Sequence, residues 1–332
     1  MRKALIAVVA ASCLAFIIMT IGHITIVAQS TITGEWRADA RPDRGNKSSN
    51  KNSDEWGPGS SKGDINVQFE NWRGNNGHNS VGQNYTFAEL GLTPQQVQNG
   101  NVNFRLQREA GTIDAQGSFT DYRGSGQFTF TPNMGFVSAM KSRGFDFEQV
   151  NRSIKFNSDD NGRDTTTLEE RLLTAALLNV TTALADDLNS ANFGKLGVDD
   201  LYKAAIFHVD SKFMSEMKTT GFPNLTFDDL VKARIFKIDA DYVRQVKDMG
   251  LGINDFDALV KYRIFKVTPE FLAELKNAGL TNISEEDVVK CRIFHIDGDF
   301  VRKARAQDPN ATIEDMVRMK IGVNKIKVDT WQ

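Results

Sequence analysis

The chain has 332 residues, with 40 Lys and Arg against 42 Asp and Glu and a formal net charge of −2. A balance so close to neutral leaves no overall field for nucleic acid or an anionic membrane surface, and no nucleic-acid partner is expected. The length allows about two domains, and a hydrophobic content of 40% is ordinary for globular cores.

In chain order, Arg2 and Lys3 precede an apolar run from Ala4 to Ala28. A basic flank followed by an apolar stretch is the pattern of an export signal. The run also reaches the ~20 residues that span a bilayer. Residues 1–28 therefore read as a signal peptide, with Ile26 and Ala28 at −3 and −1 of a cleavage site, or as an N-terminal membrane anchor. Either reading exports everything after residue 29, to the periplasm or the extracellular space. Membrane contact is then expected only through residues 4–28, if they are retained. Beyond this segment Cys291 stands alone, so no internal disulfide is expected. Cys291 shares a repeat slot with Ala204, Ala233 and Tyr262, which fits a buried apolar side chain better than a reactive thiol.

Residues 29–135 read as an antiparallel β domain of four to six strands. Ile65, Val67 and Phe69 alternate with polar residues, as do Val102, Phe104 and Leu106, and residues 127–131 do the same. Such alternation places one set of side chains on a buried face. Turns are expected at Ala110-Gly111, at Tyr122 to Gly126 and at Pro132-Asn133. Tyr85 to Val97 reads as a short helical excursion, with Thr93 as N-cap and Pro94 at the first helical position. Residues 37–64 and 73–83 are polar and glycine-rich and are expected to be mobile loops. Trp36 and Trp72 beside them are expected to close the sheet core. Aromatics next to asparagine-rich loops, Trp56 included, also suit sugar or peptide binding.

Residues 136–167 read as a connector with a capping helix, and 168–325 as helical repeats, with a tail at 326–332. Ile206-Phe207-His208-Val209 returns at 235, 264 and 293, always 29 residues on. A fixed period of this size signals stacked structural units. Within one unit, Thr226 caps a first helix whose stripe is Phe227, Leu230, Val231 and Ile235. Asp239 caps a second helix with Tyr242, Val243 and Val246 inward, and Gly250 stops it ahead of Leu251. Thr181, Asp210, Thr268 and Asp297 match Asp239, and Gly221 and Gly279 match Gly250. Helices of ~10 residues do not persist alone, so stacking must create the core. The fold class is thus α+β and multidomain: a small antiparallel β domain followed by an α-solenoid of about five helix pairs.

The repeats carry basic ladders: Lys203, Lys232, Lys261 and Lys290; Arg234, Arg263 and Arg292; and Lys218, Lys247, Lys276 and Arg305. The first two are the candidate partner-binding residues, because aligned cations can grip an acidic partner. A structural reading stands beside it. Asp199, Asp228, Asp257 and Glu286 lie four residues before the lysines, the spacing of stabilising intrahelical ion pairs. The arginines can cover the apolar stripe with their stems, and the second-helix cations suit helix C-termini.

No catalytic signature stands out. His208 and His295 share a slot with Asn179, Lys237 and Lys266, which is no dedicated metal position. There is no zinc-binding His-Glu-x-x-His, Cys-x-x-Cys pair, phosphate-binding loop or Gly-x-Ser-x-Gly elbow, so no cofactor, metal or catalytic residue is assigned.

The string FTFTPNMGFVSAMKSRGF, followed by units of the form LVKxRIFKxxxxFxxxxKxxG, resembles a group of bacterial exported or membrane-tethered proteins. It is similar to the extracytoplasmic tails of some BlaR-type M56 membrane peptidases. The resemblance covers residues 65–325 and implies a periplasmic sensing or docking module. The zinc motif and multiple membrane spans of the peptidase domain are absent from the sequence, so no peptidase activity is implied. The chain reads as an exported, non-catalytic module for a protein or peptide partner in the cell envelope. The alternatives are a cell-envelope polysaccharide binder using the tryptophans, and a carboxylate-based hydrolase of the same material.

Overall fold

The computed structural model describes residues 30–40, 65–73, 77–149, 166–222, 224–251 and 256–322. The N-terminal segment 1–28, Trp56, residues 41–64 and most of the polar insertion at 155–167 lie outside them. Among the described residues no helix is long and apolar enough to cross a membrane. The protein is α+β, an antiparallel sheet followed by a helical C-terminal part.

The sheet contains β1 (Ile32–Asp39), β2 (Ile65–Arg73), β3 (Gly77–Tyr85), β4 (Asn99–Arg108), β5 (Gly111–Thr120) and β6 (Arg123–Pro132). Their order is β3-β2-β1-β6-β5-β4, so two three-stranded meanders join along β1 and β6. The alternating runs bury Ile65, Val67, Phe69, Val102, Phe104, Leu106, Phe128 and Phe130 on one face, as their period predicts.

Trp36 is fully buried at the centre of that face. Its ring meets Phe104 edge-on at 5.2 Å, and its indole N–H donates to the Gln116 carbonyl at 3.1 Å. Room for the indole comes from glycines on β5 and β6. A Cβ at Gly117 would lie 2.6 Å from the indole Cζ2, and one at Gly126 2.7 Å from Nε1. Gly124 and Gly126 therefore belong to β6 and not to a turn, contrary to the sequence expectation. The β5–β6 turn is Asp121-Tyr122, both left-handed at φ 48° and 64°, the geometry that matches strand twist in a two-residue hairpin.

A second correction concerns residues 77–83, expected to be a mobile loop. They form most of β3, paired with β2 along its whole length. Val81 and Tyr85 alternate with polar residues, and side-chain hydrogen bonds from Asn66 to Asn84 (2.9 Å) and from the Gln68 amide to the Ser80 hydroxyl (2.7 Å) tie the two strands. Backbone pairing to an existing sheet edge outweighs weak local propensity here.

Helices α1 (Phe87–Leu90) and α2 (Pro94–Gln98) fill the predicted excursion, each opened by a capping box, Thr86/Glu89 and Thr93/Gln96. Helix α2 packs on β4, β5 and β6. Helices α3 (Met134–Lys141) and α4 (Leu168–Leu177) follow, and α4 packs on β3, β5 and β6. On this covered face Tyr85 donates its hydroxyl to the Leu177 carbonyl at 3.2 Å, and Asn71 donates to buried Glu170 at 3.1 Å. Burial with these polar groups satisfied joins the sheet to the first helix of the array.

The array continues with α5 (Thr182–Ser190), α6 (Val198–Phe207), α7 (Ser211–Lys218), α8 (Phe227–Ile235) and α9 (Ala240–Asp248). It ends with α10 (Phe256–Ile264), α11 (Pro269–Asn277), α12 (Glu285–Ile293), α13 (Gly298–Gln307) and α14 (Ile313–Lys320). First helices stack on first helices (α6, α8, α10, α12, α14). Second helices stack on second helices, with α3 against α5, α5 against α7 and α11 against α13. Thus α3, the expected capping helix, acts as a second helix without a first. Thr181, Asp210, Asp239, Thr268 and Asp297 all cap their helices through the side chain. Gly221, Gly250 and Gly279 take φ 83°, 72° and 99°. At Gly279 both bonds of the Schellman stop form, Gly279 N–H to Lys276 and Leu280 N–H to Leu275, at 2.9 and 3.0 Å.

Candidate functional site

The basic ladders run along both layers of the helical array. Lys203 Nζ lies 2.6 Å from Asp228, Lys232 2.8 Å from Asp257, and Lys290 2.7 Å from Glu314. Each acid belongs to the next unit. The expected pairing four residues back is present at Lys290, with Glu286 at 3.5 Å. First helices lie side by side, so the first-turn acid of one unit faces the lysine of the unit before it. The hydrogen bond to Asp257 holds the Lys232 ammonium above its usual range. Lys261 occupies the same position on α10.

The arginines reach back instead. Arg234 stacks on the Phe213 ring at 3.8 Å, Arg263 on Tyr242 at 4.6 Å and Arg292 on Phe271 at 3.8 Å. Each guanidinium thereby covers the aromatic of the preceding second helix, a cation–π contact that is stronger when water is partly excluded. The third ladder caps carbonyls at the end of the preceding second helix. Lys218 bonds Ala191 at 2.6 Å, Lys247 bonds Thr220 at 2.7 Å, Lys276 bonds Met249 at 3.4 Å and Arg305 bonds Gly279 at 2.8 Å. Asn189 does the same to Arg143 after α3, at 3.0 Å. Cations there complement the negative end of the helix dipole.

Two repeated features carried weaker signals. The first is the slot of Asn179, His208, Lys237, Lys266 and His295. Every one of these residues is left-handed, with φ between 50° and 54°. The following N–H closes the first-helix stop each time, from Val180 to Ala175 through Ile296 to Cys291, at 2.8–3.1 Å. The histidines of this slot are helix stops. The second feature is a clamp on second-helix N-termini. Asp187 accepts from the Ser211 N–H at 2.8 Å and Glu274 from the Gly298 N–H at 2.9 Å. Glu109, in the β4–β5 turn, accepts from the Thr182 N–H at 2.8 Å, so the sheet supplies the same clamp to the first unit. A spacing of 24 residues joins Asp187 to Ser211 and Glu274 to Gly298. At the two boundaries between them, that spacing joins Glu216 to Ala240 and Gln245 to Pro269, and the second differs from all the others in kind. Proline has no N–H to give, so this boundary can form no clamp.

A groove opens at that boundary. Its main cavity, about 440 Å³, is lined by Phe236, Lys237, Tyr242, Gln245, Met249, Tyr262, Arg263, Lys266, Val267, Thr268 and Pro269. A neighbouring cavity of about 390 Å³ shares Gln245, Met249 and Pro269 and runs on to Leu272, with Asp248 and Lys276 as its charged members. The Tyr242 hydroxyl is buried and has no hydrogen-bond partner among the described residues. Burial pushes its pKa up to about 12, so it keeps its proton at neutral pH.

The larger concavity, about 870 Å³, lies on the face of the sheet turned away from α2 and α4. Trp72 stands at its edge, 50% exposed and not in the core as expected, with the His78 ring 5.5 Å away. Strand parity decides this. Trp72 follows Phe69 by three residues, so it points to the opposite face. The charges here are paired within the face, Arg105 with Asp114 at 2.5 Å and Arg37 with Glu70 at 3.5 Å.

Among the described residues no group of three His, Cys, Asp or Glu side chains gathers as a metal site. Cys291 is fully buried, and its thiol is pushed up to about 12 by burial, which suppresses the reactive thiolate.

No family model, curated protein or solved structure matches this chain.

Proposed function

We propose that the chain is a non-catalytic docking module of the cell envelope, and that its partner is a protein segment laid into the groove between α9 and α11. The observation that carries this reading is the coincidence of the groove with a boundary that can form no clamp, at Gln245 and Pro269. Its walls are apolar and aromatic, from Phe236, Tyr242, Met249 and Pro269. Lys237, Arg263 and Lys266 line the larger cavity, and no acid does. That combination suits an acidic segment carrying a bulky apolar side chain. The partnerless Tyr242 hydroxyl offers it a buried hydrogen-bond donor. Export rests on reading residues 1–28 as a signal peptide or anchor, and the resemblance to extracytoplasmic tails points the same way. The ladder cations serve this proposal as struts, because each paired member already bridges two units.

The test is capture of envelope proteins by the full chain, compared with two double variants. Lys237→Glu with Lys266→Glu reverses charge at the rim. Gln245→Glu with Pro269→Ser installs the clamp seen between Asp187 and Ser211. Polypeptides held by the wild type and lost from both variants are the expected result. Proteins retained by both variants, or recovery of glycan alone, would sink the groove as the docking site.

A further inference from the structure

We infer that the outer face of the sheet is a second binding site, for a neutral, polyhydroxylated chain of the glycan type. Three observations point there, and none involves the groove of the helical array. The first is register. Asn103, Gln116 and Gln127 stand side by side on β4, β5 and β6, all exposed. Neighbouring strands are about 4.8 Å apart, comparable with the length of one sugar ring, so the amides form an evenly spaced row of paired donors and acceptors. Thr129 and Thr33, themselves paired across β6 and β1, add hydroxyls in the next row. The second is charge. Arg105 and Asp114 bond at 2.5 Å, and Arg37 lies 3.5 Å from Glu70 and 3.9 Å from Glu35. Each charge lining the concavity, Glu35, Arg105 and Asp114, is answered from within the face, so the concavity holds little attraction for an ionic partner and much for neutral hydroxyls. The third is the half-exposed Trp72, whose indole lines the concavity. A sugar presents C–H groups on one side and hydroxyls at its edge, and a flat apolar ring beside uncharged amides matches both.

The test uses the full chain, with cellohexaose, hexa-N-acetylchitohexaose and maltohexaose as neutral probes and oligogalacturonate as a charged control, in affinity electrophoresis and calorimetry. One neutral series is expected to bind. Trp72→Ala should then weaken it by about tenfold or more, as for a buried aromatic anchor, and Gln127→Ala should weaken it severalfold. Lys237→Glu with Lys266→Glu should leave it unchanged, which separates this site from the groove. The near-UV signal of buried Trp36 and the thermal midpoint should be the same in Trp72→Ala as in the wild type. Failure of all three neutral series to bind overturns the inference. So does binding indifferent to both substitutions, or tighter binding of oligogalacturonate.

Discussion

The sheet and the helical array make their cores by opposite routes. The sheet depends on one large side chain, Trp36, received by glycines 80 or more residues away, Gly117, Gly124 and Gly126. The array depends on small ties that recur every 29 residues and never reach beyond a neighbouring unit: a lysine to the next acid, an arginine to the previous aromatic, a cation to the previous carbonyls. The first design fails as a whole when its centre is removed. The second fails locally, because its stability is close to a sum over units and interfaces.

Trp36→Ala should therefore have the largest effect on folding. Truncating a fully buried Trp costs about 3–5 kcal/mol, and the loss should appear as early, cooperative melting of the sheet while much of the helical signal persists. Denaturation followed separately by near-UV and far-UV circular dichroism reads this out. Coincident transitions in the mutant would show that the two regions unfold as one.

The left-handed stops of the array carry effects of intermediate size. A left-handed backbone costs an ordinary L-residue about 1–2 kcal/mol, and glycine gives back roughly 0.5–1 kcal/mol of that through its greater unfolded-state entropy. Lys237→Gly should thus stabilise the array by about 0.5–1 kcal/mol and leave the sheet transition where it is. Asn179→Gly should gain less, since asparagine already tolerates φ > 0. A destabilised Lys237→Gly variant would mean that the lysine side chain contributes more than its backbone costs.

The smallest effect concerns the ion pairs. A double-mutant cycle should show coupling between Lys232 and Asp257, about 0.2–1 kcal/mol as for exposed pairs, and almost none between Lys232 and Asp228. The order of those two couplings is the informative part. Coupling to Asp228 alone would restore the intrahelical pairing and remove the lysine ladder as a tie between units.

Much of the array was legible before any coordinates. Period, caps, glycine stops and the core positions Tyr242, Val243 and Val246 depend on local chemistry repeated in frame, and a repeated signal is hard to misread. The misreadings cluster where a residue's fate is settled by a distant strand or helix. Polar residues 77–83 read as a loop because nothing within them announces the edge of β2. Gly124 and Gly126 read as a turn because the indole that needs them is on β1. Trp72 read as core because aromatic content alone does not state which way a strand is turned.

Taken by itself, the sequence determined an α+β chain with a β domain first and helical units of 29 residues after it, and it located most helix ends. Capping and stop signals act within a few residues, so they need no tertiary context. Only the tertiary structure decided which partner each charge takes, which face Trp72 occupies and where two units leave a groove. Those outcomes depend on contacts between elements: Lys232 has Asp228 on its own helix and Asp257 on the next first helix, and packing chooses between them.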